Sequence, residues 1–532
     1  MKPLPIGIQN FKEIVAGGYV YADKTQYVYE LLNDAKYYFL SRPRRFGKSL
    51  LLDTISEVFK GNKELFKGLW IHDSDLDFQK HPVIRLDMSR TATASPEILE
   101  NSLIANLNVQ IQAEGLDIPH GNPSDMFFRL IEGLHGKYRQ RVVVLIDEYD
   151  KPILDQLTNL AIAEGNREVL RGFYGILKAM DPYLRLTFIT GVTRFARTAV
   201  FSGLNNLLDI TLLDDYANIC GITPEDVEVY FSDRIKALSG RKGFENIESV
   251  YDEILNWYDG YSWDGENRVI NPFSLLCFFR QRRFEGFWYS SGTPGFLIDL
   301  VKKNPDMFVK IKDAIITAYM LDSADFSKLY PVSLMFQAGY LTIKGIDYSF
   351  MPPVYNLTIP NREVREAFNL HIVSGFTESG DDSAQIAKIE MLSALRLGDL
   401  EKMLNIMKGL FASIPYNLHV DAEAYYHSIF YAVMTVLGFD MEAEVAVSKG
   451  RIDAVLELPD KVYIMEFKYK KCSAVAGAGE KGNLFEQALA DGMAQIKNRG
   501  YHEKYTGSGK TIYQAAFAFL GRDEISMRFE IV

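Results

Sequence analysis

The sequence predicts an α/β protein: a mostly parallel sheet near its start, a helical middle region with a winged-helix-like element, and a further α/β domain at its end. Three observations predict this. The aromatic run Tyr37-Tyr38-Phe39-Leu40 leads through Ser41-Arg42-Pro43-Arg44-Arg45-Phe46-Gly47-Lys48-Ser49 into the helical pattern Leu50–Ile55. A continuous apolar run, Arg141–Ile146, ends in Asp147 and Glu148, as a central parallel strand covered on both faces would. Near the end, two strand-like stretches around Pro459-Asp460 carry Asp453 on one side and Glu466 and Lys468 on the other.

At 532 residues the chain is too long for one core, so two to four domains are expected. Its 48% hydrophobic and 24% charged content is that of a soluble globular protein. A net charge of −11 exerts no global pull on nucleic acid, so any such contact must come from a local basic groove. Cys220, Cys277 and Cys472 lack metal-ligand spacing and read as reduced, buried thiols of a cytoplasmic protein. Met1–Pro5 lacks the apolar core of a signal peptide, and the longest apolar stretch, Ile429–Phe439, is too short to span a bilayer. No membrane partner is expected.

Residues 1–35 contain Tyr19–Thr25 and then an amphipathic helix through Leu31 and Leu32. Asp23 and Lys24 read as a surface turn and helix cap in preference to a ligand site. Next come a buried strand, a loop ending in Gly-Lys-Ser, and a helix. That layout points backbone N–H groups and the helix dipole at a triphosphate. Gly47 completes the turn, Lys48 would reach the β- and γ-phosphates of ATP, and the Ser49 hydroxyl would ligate Mg²⁺. Arg42 stands where the usual first glycine would be. Arg44 and Arg45 would clamp phosphates or reach a partner's nucleotide.

Pro82–Asp87 reads as a second buried strand, followed by helices at about Pro96–Glu114 and Ser124–Leu134. In the Arg141–Ile146 strand that follows, Asp147 would hold the Mg²⁺ shell and Glu148 would activate or orient the attacking water. Alone, this stretch reads better as a core strand with a charged turn. Paired with the Gly-Lys-Ser loop, it favours a P-loop ATPase-type sheet. A helix at Glu168–Met180 precedes the strand Leu184–Thr190. Thr190 at its end could sense the γ-phosphate, and Arg194 or Arg197 could pair with phosphate oxygens, a solvated strand end being the alternative for each. Four strands alternating with helices give a domain over 1–220. Thr223 reads as an N-cap, with Pro224 at the first helical position.

Residues 221–415 read as a helical lid and connector. They include the aromatic, glycine-rich piece Trp257–Gly265, a helix start at Asn271-Pro272-Phe273 and a loop at Trp288–Pro294. Leu334–Ile343 and Val354–Asn361 form the winged-helix-like element, a helix and two strands. Few lysines or arginines lie on it, which favours a joining role over nucleic-acid binding. Helices at about Asp382–Leu397 and Leu400–Ala412 lead to the last domain, 416–532.

That domain opens on the apolar-faced helix Asp421–Leu437, which contains Glu423 and His427. Glu442–Leu458 and Val462–Tyr469 read as two strands of a hairpin. A loop of two or four residues centred on Pro459-Asp460 puts Asp453 opposite Glu466, with Cβ atoms roughly 4.5–5.5 Å apart. Two such carboxylates repel unless a positive charge, such as a divalent cation, sits between them. Lys468 shares the face of Glu466 and could hold the attacking water or stabilise charge on a phosphate. An odd loop would move Asp453 to the other face and leave an ordinary charged hairpin. The last predicted helix, Leu484–Asn498, and Tyr501 after it bring Gln495 and Tyr501 near the same place.

Asp23-Lys24-Thr25, Arg42-Pro43-Arg44-Arg45-Phe46-Gly47-Lys48-Ser49, Ile146–Asp150, Thr190-Gly191-Val192 and Phe201–Asn206 together resemble a predicted AAA-ATPase-like domain of prokaryotic proteins. In that family the loop regularly begins Arg-Pro-Arg-Arg-Phe, so Arg42 fits the family pattern. Ile452-Asp453 followed by Glu466-Phe467-Lys468 resembles the PD-(D/E)XK nuclease superfamily domain usually fused to it. That resemblance implies a restriction-endonuclease-like α/β fold, with Asp453, Glu466 and Lys468 as catalytic residues. It adds Glu423 to Asp453 and Glu466 as a metal ligand and matches Gln495 and Tyr501 to a trailing Gln…Tyr pair. The implied cofactors are ATP and Mg²⁺, with Mn²⁺ an option at the nuclease site. The implied partner is nucleic acid, DNA ahead of RNA, and homo-oligomerisation is left open. The expectation is an ATPase whose nucleotide state gates a phosphodiesterase. The alternative is a nucleotide-dependent switch that binds nucleic acid or a protein without cutting, and the intact Asp453, Glu466 and Lys468 set favours cleavage.

Overall fold

The computed structural model describes residues 1–194, 200–201, 203–241, 244–288, 314–321, 331–368, 381–412, 441–447, 450–470, 478–520 and 524–532. They fall into two compact units, one within Met1–Gly292 and Ile311–Val364, the other within Arg365–Val532.

The first unit is built on five parallel strands: β1 (Tyr37–Ser41), β2 (Val83–Asp87), β3 (Val142–Asp147), β4 (Leu184–Gly191) and β5 (Leu208–Asp209). Their order across the sheet is β2-β3-β4-β1-β5. Every residue of β1 and β3 is buried, as expected for strands covered on both faces. The register sets Asp87 beside Asp147, Ile146 beside Ile189, and Leu40 beside Thr190. The carboxyl ends of β1, β3 and β4 therefore share one edge, where open α/β sheets bind ligands. The fifth strand was absent from the sequence reading, because two residues carry no readable period.

The Lys48–Phe59 helix starts directly after the loop and buries Leu51, Leu52, Ile55 and Val58. Ser95 and Asn122 cap the Pro96–Ala113 and Pro123–Tyr138 helices through their side chains, each with proline at the first position. The expected Glu168–Met180 helix starts earlier and runs Leu160–Ala179, with Ala163, Leu170, Phe173 and Leu177 on its buried stripe. Thr223 caps Pro224–Leu238 in a reciprocal box with Asp226. That helix packs with Ile247–Tyr258 and Pro272–Gln281 around Val227, Phe231, Ile254, Leu275 and Phe278.

The winged-helix-like element consists of the Pro331–Ala338 helix and an antiparallel sheet of β6 (Ile315–Thr317), β7 (Thr342–Asp347) and β8 (Val354–Thr358), in the order β6-β8-β7. Strand β6 is an addition to the sequence reading. The Pro224–Leu238, Ile247–Tyr258 and Pro272–Gln281 helices and this element belong to the same compact unit as the parallel sheet.

The second unit holds helices Asp381–Leu397, Leu400–Ala412 and Ala478–Asn498. Its sheet contains β9 (Met441–Val447), β10 (Gly450–Glu457), β11 (Lys461–Lys470), β12 (Thr511–Leu520) and β13 (Glu524–Ile531), in the order β13-β12-β11-β10-β9. Only β11 and β12 are parallel neighbours, and the Ala478–Asn498 helix makes the crossover that such a pair requires. The single strand expected over Glu442–Leu458 is corrected to the antiparallel pair β9 and β10, with Val447 opposite Gly450. The apolar alternation on either side of Ser448-Lys449-Gly450 reads as one strand, although serine, lysine and glycine in succession are a break signal. Strands β12 and β13 were unassigned from sequence. The helix expected over Asp421–Leu437, with Glu423 and His427, and the Ile429–Phe439 stretch lie outside the described residues, as does Cys472.

Candidate functional sites

The first site forms where β1, β3 and β4 end. Arg42, the residue in the glycine position, is fully buried. Its Nη1 donates to the carbonyls of Ser41 (2.9 Å) and Thr211 (2.8 Å), and its Nη2 to that of Tyr216 (3.2 Å). The guanidinium carbon lies 3.9 Å from the Trp263 ring centre. Burial lowers its pKa to about 10, so it remains a cation at neutral pH. Arg42 thus ties the start of the loop to the segment before the Pro224–Leu238 helix and to the segment after the Ile247–Tyr258 helix. Phe46 extends that tie, packing edge-on against Tyr261 and Trp263.

Gly47 sits at φ +92, a left-handed conformation that a side chain strains, although nothing lies within 4 Å of an added Cβ. Arg45 is also left-handed, at φ 69, with its guanidinium 3.9 Å from the Phe273 ring centre. Arg44 and Arg45 are both exposed. Lys48 is buried, and its Nζ donates to the carbonyls of Arg42 (2.8 Å) and Pro43 (2.9 Å). Desolvation lowers its pKa, opposed by the charges of Asp147 and Glu148.

Asp147 is buried, and its Oδ1 accepts from the Thr190 hydroxyl at 2.7 Å. Glu148 follows at φ 53, its pKa raised first by burial and pulled back by Lys48. Asp150 is fully buried and accepts from the backbone N–H groups of Val192 (3.1 Å) and Thr193 (2.6 Å) and from the Thr193 hydroxyl (2.5 Å). It fixes the chain just after β4. The structure therefore brings Lys48, Asp147, Glu148 and Thr190 together. Arg194 is engaged elsewhere: its Nη2 lies 3.0 Å from Asp209 Oδ2, and its N–H donates to Gln337. Arg197 is outside the described residues. Asp23 accepts from the N–H and hydroxyl of Thr25, and Lys24 pairs with Asp226 at 2.6 Å, in keeping with a turn and cap.

One cavity adjoins the loop and another adjoins Asp147. The first, about 110 Å³, is mainly apolar, with Tyr21, Ala22, Gly47, Leu50, Ile222 and Leu276 among its walls. The other, about 480 Å³, is of mixed polarity and reaches Asp53, Arg85, Asp87, Gln110 and Asp147. Asp53 and Arg85 form an ion pair, Asp53 also accepts from Phe11 N at 2.7 Å, and Arg85 donates to the Ser49 carbonyl at 3.3 Å.

The second site lies on the β10–β11 hairpin. Leu458 N donates to Lys461 O at 2.8 Å, so Pro459-Asp460 is a two-residue loop. Ala454 pairs with Met465 and Glu457 with Val462; the next step of that register sets Asp453 level with Glu466, as the turn predicted. Asp453 Oδ2 accepts from Phe467 N at 2.9 Å. Glu466 is fully buried, and its Oε1 lies 2.9 Å from Lys468 Nζ. Its Oε2 is buried with no hydrogen-bond partner. Burial first, and then the Asp453 charge, push the Glu466 carboxyl up to about 7, opposed by Lys468 and Arg499.

A buried carboxylate oxygen without a donor, beside a second carboxylate, fits a divalent cation. Glu423, the third expected ligand, lies outside the described residues, among which no cluster of three metal-ligating side chains occurs. Tyr501 is buried, and its hydroxyl accepts from Arg499 Nη1 at 3.0 Å. Gln495 is half-buried one turn after Gly492, where the helix passes against Ala516 and Lys468.

Comparison with known proteins agrees with this arrangement. The family described as Predicted AAA-ATPase matches residues 5–201, and the PD-(D/E)XK nuclease superfamily matches residues 421–528. An uncharacterized protein from the vnfD 5′ region of Azotobacter chroococcum mcd 1 is 36% identical over 532 residues, covering 99% of this chain and 98% of that protein. The chain belongs to this predicted AAA-ATPase family, with a C-terminal PD-(D/E)XK nuclease superfamily domain. A solved structure of ORC2 from Aeropyrum pernix (ADPNP–ADP complexes) covers 68% of this chain and 98% of its own, at 10% identity and a TM-score of 0.28. Among the described residues no helix is long and apolar enough to cross a membrane.

Within the AAA-ATPase match lie the loop, Asp147, Glu148, Thr190 and Arg194. Within the nuclease superfamily match lie Asp453, Glu466 and Lys468. Sequence reasoning missed Asp53, Asp150 and Arg499 as members of the two sites. Asp53 lies one helical turn after Ser49, a spacing that could have flagged it. Asp150 is a third acid in the Asp-Glu-Tyr-Asp run. Arg499 gave no signal, because it reaches its neighbours only through the fold.

Proposed function

We propose that this protein binds and hydrolyses ATP in its first unit and cuts nucleic-acid phosphodiester bonds, DNA ahead of RNA, in its second, with ATP state gating the cut. The observation that carries the nuclease reading is the buried, donor-less Oε2 of Glu466 beside Asp453 and Lys468. Asp453 and Glu466, with Glu423 as a further ligand, would hold Mg²⁺ or Mn²⁺, which supplies Lewis-acid stabilisation of charge on the phosphate. Lys468 would stabilise charge as the phosphate is attacked, or orient the attacking water.

In the first unit, ATP phosphates would draw Lys48 Nζ from the carbonyls of Arg42 and Pro43, exchanging neutral acceptors for anionic ones. Gly47 and the start of the Lys48–Phe59 helix present N–H groups to the same phosphates. Arg44 and Arg45 are both exposed, and Arg45 would approach them from its place over the Phe273 ring. Ser49 and Asp147 would hold the Mg²⁺ of MgATP. Glu148 would orient the attacking water and Thr190 would report the γ-phosphate through Asp147. Arg194 could reach a phosphate only by breaking its pair with Asp209. The apolar 110 Å³ cavity suits the base.

The test is cleavage of labelled DNA and RNA by the full chain with Mg²⁺ or Mn²⁺. Wild type should nick and Asp453→Ala should not; equal behaviour refutes the nuclease reading and leaves a switch that binds without cutting. Lys48→Ala should lose ATP binding, and unchanged nucleotide affinity would refute the phosphate-loop assignment.

A further inference from the structure

The Ala478–Asn498 helix ends one residue before Arg499, whose N–H still donates to the Gln495 carbonyl at 3.1 Å. Gly500 then turns left-handed at φ +59 and drops Tyr501 into the core of the second unit, among Val462, Ile464 and Ala516. The buried Tyr501 hydroxyl holds Arg499 Nη1 at 3.0 Å, while the arginine itself is exposed. Besides Tyr501, the charges acting on Arg499 are those of Glu466 and Asp453. Arg499 is thus a cation tethered to a buried phenol, at the end of the helix that passes against Lys468 and against Ala516, the strand neighbour of Glu466.

We propose that Arg499 binds a phosphate of the nucleic-acid strand beside the Asp453–Glu466 pair, with Tyr501 as the residue that positions it. The inference rests on the nuclease reading of that pair. A polyanion approaching two carboxylates is repelled, and the nearest cation, Lys468, is already engaged with Glu466 at 2.9 Å. A guanidinium has five N–H donors in a planar fork; one is held by Tyr501, and the others suit phosphate oxygens. The C-terminal end of a helix also favours a cation at this place.

The test uses the full chain carrying Arg499→Ala, Arg499→Lys or Tyr501→Phe. Cleavage of labelled DNA in Mn²⁺ gives KM and kcat, and fluorescence anisotropy in EDTA gives the salt dependence of binding. Arg499→Ala should raise KM about tenfold with a smaller change in kcat, as loss of one charge-assisted contact would. The slope of log Kd against log salt should shrink by about one phosphate contact. Arg499→Lys should recover part of both effects, and Tyr501→Phe should fall between alanine and wild type. Thermal melts matching wild type exclude a folding defect. An alanine variant with wild-type KM and an unchanged salt slope overturns the proposal. If wild type and Asp453→Ala prove equally inactive, the nuclease reading fails by itself. The salt slope then still decides whether Arg499 touches phosphate.

Discussion

Replacing Glu466 by glutamine in metal-free protein should stabilise the second unit at pH 8 and remove its response to Mn²⁺. Burial, and then the Asp453 charge, push the Glu466 carboxyl from its ordinary 4.5 up to about 7. At about 1.4 kcal/mol per pH unit between those values, holding it ionised costs roughly 3 kcal/mol. An acid with a raised folded-state pKa favours the folded state fully below its unfolded pKa. That contribution is lost as pH rises through the folded value, here from 4.5 to about 7. Glutamine does not ionise, so the stability difference between variant and wild type should grow by roughly 3 kcal/mol across this window, the value of about 7 already including the Lys468 contact.

All four tryptophans, Trp70, Trp257, Trp263 and Trp288, lie in the first unit. Tryptophan fluorescence therefore follows that unit in urea, and the part of the far-UV circular dichroism change that does not coincide with it follows the second. Millimolar Mn²⁺ at pH 8 should shift the second transition upward in wild type only, since a ligand stabilises by its affinity for the folded state. Parallel unfolding of wild type and variant at every pH, or equal stabilisation of both by Mn²⁺, would refute the reasoning.

Glu363 gives the same sign in the first unit. Burial pushes it up to about 7 while its Oε1 accepts from Phe287 N, Trp288 N and Ser274 Oγ, so Glu363→Gln should raise the fluorescence-detected urea midpoint at pH 8 but not at pH 4.5. Arg42→Gly, which restores the usual glycine, should lower the stability of the first unit by roughly 3 kcal/mol, because three buried carbonyls lose their donor. A thermal melt followed by tryptophan fluorescence checks this. Thr190→Val removes the hydroxyl donated to Asp147; single-turnover ATP hydrolysis should fall about tenfold or more while nucleotide affinity holds within about twofold.

Sequence patterns located the residues of both sites more reliably than they located what supports them. The Pro459-Asp460 turn predicts the β10–β11 register because a two-residue loop fixes which residues of the two strands stand opposite one another. The apolar run into Asp147 marks a central strand, since six consecutive buried residues need cover on both faces. Long-range pairing leaves no such mark. Strands β9 and β10 pair with each other within a stretch that reads as one strand, and β5 is two residues long. Asp53, Asp150 and Arg499 act through partners 32, 43 and 2 residues away, and even the nearest needs the turn at Gly500 to make the contact.

The loop shows how a phosphate-binding turn can dispense with its first glycine. A glycine there would offer conformational freedom and an uncrowded approach to the ligand. This chain meets the conformational demand farther along, at Arg45 (φ 69) and Gly47 (φ 92). It sends the Arg42 side chain into the fold against Trp263 and three carbonyls. The loop is then anchored by the lid's aromatic piece, with Phe46 against Tyr261 and Trp263 as the second anchor. A change in the lid must therefore be felt at Lys48, whose two acceptors are the carbonyls of Arg42 and Pro43. Trp263→Ala should accordingly weaken ATP binding although Trp263 touches none of the residues assigned to phosphate. Unchanged ATP affinity in a folded Trp263→Ala variant would show that Arg42 anchors the fold alone and not the nucleotide loop.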